Sequence, residues 1–83
     1  MTIHADDVRK LLAHDDAEAA LVLIEGRVEV KTPAELDSAD YVGAMPIVTR
    51  GQLVEQAGTA ELSDRELAEH AETLDAAVRN LGG

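Results

Sequence analysis

ALVLIEGRVEVK, residues 20–31, is the stretch that decides the fold. Ala20–Ile24 is apolar at every position, whereas Arg27–Lys31 alternates strictly, with Val28 and Val30 on one side and charges on the other. Alternation with a period of two marks a strand with one buried face, and a short unbroken apolar run marks a strand covered on both. Glu25-Gly26 between them reads as a tight hairpin turn. A two-residue loop sets Leu23 opposite Val28 and Leu21 opposite Val30, which places all four on one side. A three-residue loop with Gly26 in a left-handed bulge shifts the register by one, and the sequence leaves both open. In either case Val22 and Ile24 need a covering helix or a second subunit.

Working outward, helix signals flank this hairpin. Asp6 and Asp7 precede Val8, Leu11 and Leu12 at helical spacing, with the acids where they complement the helix dipole. TPAE at 32–35 is a capping box with proline at the first helical position, predicting a short helix through Leu36 to about Asp40. Tyr41–Val48 reads as extended, with Gly43 and Pro46 limiting it to an edge or a strand start. TRGQ at 49–52 and SDRE at 63–66 are two more capping boxes. The first launches a helix that Gly58 ends. The second launches the longest periodic segment, 64–81, with Leu67, Ala71, Leu74, Val78 and Leu81 at alternating spacings of four and three. That seam is two heptads long, shorter than a free coiled coil requires. The element order is α-β-β-α-β-α-α, a small α+β domain with a hairpin and a third short strand packed by helices.

With 83 residues the chain is expected to form one domain with a thin core. It has no Phe and no Trp, and Tyr41 is its one aromatic residue, so burial rests on aliphatic side chains and alanine. Such a core packs very regularly or gains area from a second copy, which motivates an expected homodimer. Val22, Ile24, Leu67, Ala71, Leu74, Val78 and Leu81 are the candidate interface residues, although packing on the protein's own sheet is the first use expected of the 67–81 seam. The absence of cysteine excludes disulfides, thiolate catalysis and Cys-ligated metals. No basic, apolar leader opens the chain and the run Ala19–Ile24 is far too short to cross a bilayer, so a cytosolic protein without a membrane partner is expected. The net charge is −10, concentrated in residues 1–26 and 51–83. That charge repels phosphate backbones, opposing nucleic-acid binding, and suits a basic protein partner.

Two resemblances to carrier proteins can be weighed against this pattern. The terminal Gly82-Gly83 is similar to the ending that ubiquitin-like and sulfur-carrier proteins present for adenylation. In those families the pair follows a final strand, whereas here it follows AEHAETLDAAVRNL, helical by propensity and period. Glycine just past a helix closes it without strain, and this capping role is the reading preferred for an ending whose resemblance covers two residues. ELDSADYVG at 35–43 resembles the acyl carrier proteins, which implies Ser38 as the attachment point for phosphopantetheine. Ala39 and Leu36 depart from that pattern, which has a large apolar residue and a glycine there, and Gly43 and Pro46 interrupt the long helix that should follow.

Glu66 and His70 stand four apart on the last helix, a two-ligand half-site for a metal. His14 is flanked by Asp15 and Asp16, and His4 stands alone. Two ligands do not define a site, and no glycine loop suited to phosphate is present. The expected function is therefore a non-enzymatic interaction module, acidic and self-associating, with no cofactor. The alternatives are a carrier presenting Ser38 or the Gly83 carboxylate, and an acidic antagonist of a basic or nucleic-acid-binding partner.

Overall fold

The structure, a computed structural model, describes the backbone of residues 2–82 and the side chains of residues 2–80. Its elements are α1 (Ala5–Leu12), β1 (Ala20–Ile24), β2 (Arg27–Lys31), α2 (Pro33–Leu36), a 3-10 helix (Ala39–Tyr41), β3 (Met45–Thr49), α3 (Arg50–Ala57) and α4 (Asp64–Gly82). This is the α+β order read from the sequence.

β1 and β2 form an antiparallel hairpin in which Leu23 faces Val28 and Leu21 faces Val30, the register of a two-residue loop. Glu25 and Gly26 both take positive φ, at 50° and 79°, as a turn that matches the right-handed twist of the strands demands. β3 pairs antiparallel with the other side of β1, giving the order β2-β1-β3. The central strand is thus the fully apolar one, and both flanking strands are edges. Leu21 faces Val48 while Val22 faces Pro46, so Ile47 is an extra residue that bulges the β3 edge.

One face of the sheet carries the core. Leu21 and Val48 pack with Ile3, Val8, Leu11, Leu53 and the α4 residues Leu67, Ala71 and Leu74. Burying a leucine such as Leu21 completely is worth about 1.5–3 kcal/mol. The seam of α4 therefore serves its own sheet, and Val78 packs on the margin of the same core. Leu81 lies outside the described side chains.

On the opposite face lie Val22 and Ile24, for which a covering helix or a second subunit was expected. Both are buried within a single chain, Val22 completely. The Tyr41 hydroxyl donates to Glu29 Oε1 at 2.9 Å, and the Lys31 ammonium sits 5.1 Å from the centre of its ring. Glu29 is the cross-strand neighbour of Val22, so the Tyr41 side chain, from the chain between α2 and β3, reaches the sheet on that face. A second subunit is not needed there.

The local signals at TPAE, TRGQ and SDRE all produce reciprocal caps. Thr32 and Glu35, Thr49 and Gln52, and Ser63 and Glu66 exchange backbone-to-side-chain bonds of 2.9–3.4 Å. The helix begun at Thr32 stops at Leu36 rather than near Asp40, because Ser38 is extended (ψ 156°) and a separate 3-10 turn follows. The strand expected over 41–48 is confined to Met45–Thr49, after Gly43 at φ 91°.

One contact ties the two ends of the chain together. Asp75 Oδ1 accepts the backbone N–H groups of Thr2 at 2.8 Å and Ile3 at 3.0 Å, and Arg79 Nε lies 3.2 Å from Oδ2. The carboxylate is buried on α4. The Ile3 and Thr2 amides, aided by Arg79, outweigh desolvation and hold its pKa below the usual aspartate value.

Candidate functional site

The parity of the hairpin determines which backbone groups of β2 are free. Ile24 and Arg27 flank the two-residue turn and form its closing hydrogen-bonded pair. Val22–Glu29 and Ala20–Lys31 are bonded pairs in turn, so the N–H and C=O groups of Val28 and Val30 point away from β1. Among the described residues no backbone or side-chain group bonds to them. An unpaired strand edge is a template for another strand.

A groove of about 340 Å³ runs beside this edge, between Val28–Lys31 and a stripe of Asp7, Lys10 and His14 from α1 and the turn after it. α1 packs over the β2 side of the sheet through Val8 and Leu11, and so supplies the far wall. Val28 and Val30 are half-buried on the core side of β2 and present apolar surface to the groove. The chain's two lysines, Lys10 and Lys31, both line it.

The charged face of β2 is a connected set. Arg27 bridges Glu25 at 3.0 Å and Glu29 at 2.6 Å, and Lys31 lies 3.6 Å from Glu29 and 3.7 Å from Glu35. The Arg27 guanidinium, then the Tyr41 hydroxyl, hold the Glu29 carboxyl below the usual glutamate range. Glu29 is therefore ionised at neutral pH, and the edge presents base, acid, base at 27, 29 and 31.

The other candidates fall elsewhere. Ser38 is exposed at the start of the 3-10 helix, and its hydroxyl caps nothing. Glu66 is occupied as the partner of Ser63, whose backbone and hydroxyl lower its pKa. No group of three or more His, Asp or Glu side chains able to hold a metal occurs among the described residues. His14 borders the groove, while Asp16 accepts the Glu18 N–H at 2.9 Å. α4 continues to Gly82, and Gly83 lies outside the described residues. No described helix is long and apolar enough to cross a membrane.

The β2 edge was not among the residues predicted as an interface, which were chosen for apolarity and, among the described side chains, are buried in the chain or packed against its core. Its signal in the sequence is the three charges in five residues of RVEVK, the composition of an edge strand. A second shallow cavity, lined by Thr2, Glu72, Asp75 and Arg79, surrounds the buried carboxylate that anchors the N-terminal segment. No protein-family model matches the chain, and no significant match exists among curated proteins or solved structures.

Proposed function

We propose that this chain is a non-enzymatic protein-interaction module that takes its partner as an added strand on β2. The observation that carries this reading is the outward-facing, unbonded N–H and C=O groups of Val28 and Val30 beside the α1 groove. Strand addition draws affinity from main-chain bonds and specificity from side chains alternating into a neighbouring groove. Both requirements are met on one edge of this sheet.

Four carboxyls are held in a range unsuited to acid–base catalysis at neutral pH. Glu29, Glu35, Glu66 and Asp75 are all shifted downward, away from the near-neutral pKa that a general acid or base needs. The charge of −10 favours protein over nucleic acid or anionic lipid as the partner, and a cytosolic setting belongs to the same reading. The test places a photo-crosslinking residue at Lys10, beside the groove, or at Glu69, exposed on α4, in the cells that make the protein. Crosslinks to a protein partner from position 10 and not from 69 are expected. Crosslinks from 69 alone, or turnover of a small molecule by the purified chain, would overturn the reading.

A further inference from the structure

We infer that the strand added to β2 is the β2 of a second copy of this chain, antiparallel, about a two-fold axis at Val28. The inference rests on the reading of β2 as the docking edge and specifies its occupant and register.

Three features select a second copy. The first is closure. A two-fold contact through β2 uses the same edge on both subunits and yields the order β3-β1-β2-β2-β1-β3. The outer edges of that sheet are the β3 strands, each bearing the exposed Pro46 and the bulge at Ile47, features that resist further pairing. Assembly then stops at two copies.

The second feature is charge, which selects the register. Antiparallel pairing must keep valines on the core side, so the axis passes through a residue of β2 rather than between two. Full overlap, with the axis at Glu29, sets Glu29 against its own copy and Arg27 against Lys31, like charges directly opposite. An axis at Val30 places Val28 opposite Thr32. The Thr32 N–H already donates to Glu35 Oε1 at 2.9 Å, and its C=O accepts Leu36 N–H at 3.1 Å. With the axis at Val28, Arg27 faces Glu29 of the other copy twice, and the pairing ends at the turn, where Glu25 and Gly26 take positive φ. Every opposed charge is then complementary.

The third feature is the backbone. Val28 has both its N–H and C=O directed outward, so two copies exchange a reciprocal pair of bonds at the axis. Past the paired residues 27–29, Val30 of one copy runs beside the turn of the other, where Gly26 has no Cβ and open space around it. The groove beside residues 28–31 becomes the lateral boundary between the α1 helices of the two copies.

Sedimentation equilibrium of the intact chain from micromolar to millimolar concentration tests the proposal, with amide hydrogen exchange on the same samples. A monomer–dimer equilibrium is expected, with protection of the Val28 N–H rising with concentration. Glu29→Arg sets arginine against arginine twice and is expected to weaken the dimer at least about tenfold. The double change Arg27→Glu with Glu29→Arg restores each opposed pair and is expected to recover the dimer to within about threefold. Because residues 27 and 29 are at least partly solvent-exposed, thermal melting of the dilute variants separates lost dimer from lost fold. A monomer at millimolar concentration overturns the inference, and so does a dimer that ignores Glu29→Arg or is not rescued by the double change. If position 10 still crosslinks to another protein in that event, the edge-binding function stands and only the occupant is wrong. If neither crosslinks nor concentration-dependent protection fall on β2, both fail.

Discussion

The two edges of the sheet share a central strand and differ in almost every other respect. β3 carries Pro46, which has no N–H to offer, and an extra residue at Ile47 that breaks the regular ladder. Its C-terminal end runs directly into α3, where the Arg50 N–H donates to Ala19 O at 2.7 Å and the Gly51 N–H to Ala17 O at 3.0 Å. β2 contains neither proline nor bulge, and its outward N–H and C=O groups at Val28 and Val30 meet no described partner. The difference teaches that charge alone does not close an edge. Arg27, Glu29 and Lys31 discourage pairing in full overlap with an identical strand, yet they complement a strand of suitable pattern.

The strongest way to break the comparison is to remove what both edges hang on. Leu21→Ala empties a fully buried position of β1 between the hairpin and the helices. It is expected to cost about 2–5 kcal/mol in chemical denaturation. If both edges depend on β1, their amide protection should fall together.

A second prediction concerns pH. The folded state holds the Asp75 carboxyl below its usual range, so the unfolded chain takes up the proton first. Stability from this group is present in full near neutrality and falls as pH drops below about 5, continuing through the depressed folded value. Glu29, Glu35 and Glu66 contribute with the same sign. Urea titrations between neutral and acidic pH should show this slope, and Asp75→Asn should flatten it more than any of the three glutamate-to-glutamine changes. Asp75 is the buried one of the four, and it receives two backbone N–H groups.

Smaller effects separate the two edges. Thr49→Ala deletes the cap at the junction of β3 and α3, where Thr49 Oγ1 accepts the Gln52 N–H at 3.1 Å, and is expected to cost about 1 kcal/mol. Its hydrogen-exchange signature should be confined to the β3 side. On the β2 side, Glu25 adopts φ 50° at the first position of a turn that prefers asparagine there. Glu25→Asn is expected to stabilise the fold by about 0.5 kcal/mol, the low end for a single stabilising substitution. Melting of the dilute protein checks it, and a loss of stability would argue that the Glu25–Arg27 pair outweighs the turn preference.

Much of the architecture was legible because it is local. The reciprocal caps at Thr32, Thr49 and Ser63 span three residues, and alternation at 27–31 against the apolar run at 20–24 distinguished the edge from the central strand. The site was less legible. Val22 and Ile24 looked like interface because nothing in the sequence reveals that they are buried within one chain, on the face where Tyr41 returns to Glu29. Leu67, Ala71 and Leu74 carry the same periodicity whether their seam meets a partner or the chain's own sheet. Lys10 and His14 join the β2 edge through a groove that exists only once α1 packs beside it.

The sequence by itself determined the elements, their order, the caps and the hydrophobic sidedness of the hairpin, since each depends on contacts a few residues apart. Tertiary structure decided the strand order, which makes β2 an edge, and the covering of the second sheet face. It also decided the role of Asp75, whose carboxylate meets the Ile3 N–H across 72 residues of chain. Hydrogen-bond and charge complementarity over such separations appears only after the core has brought the partners together, and no local pattern encodes it.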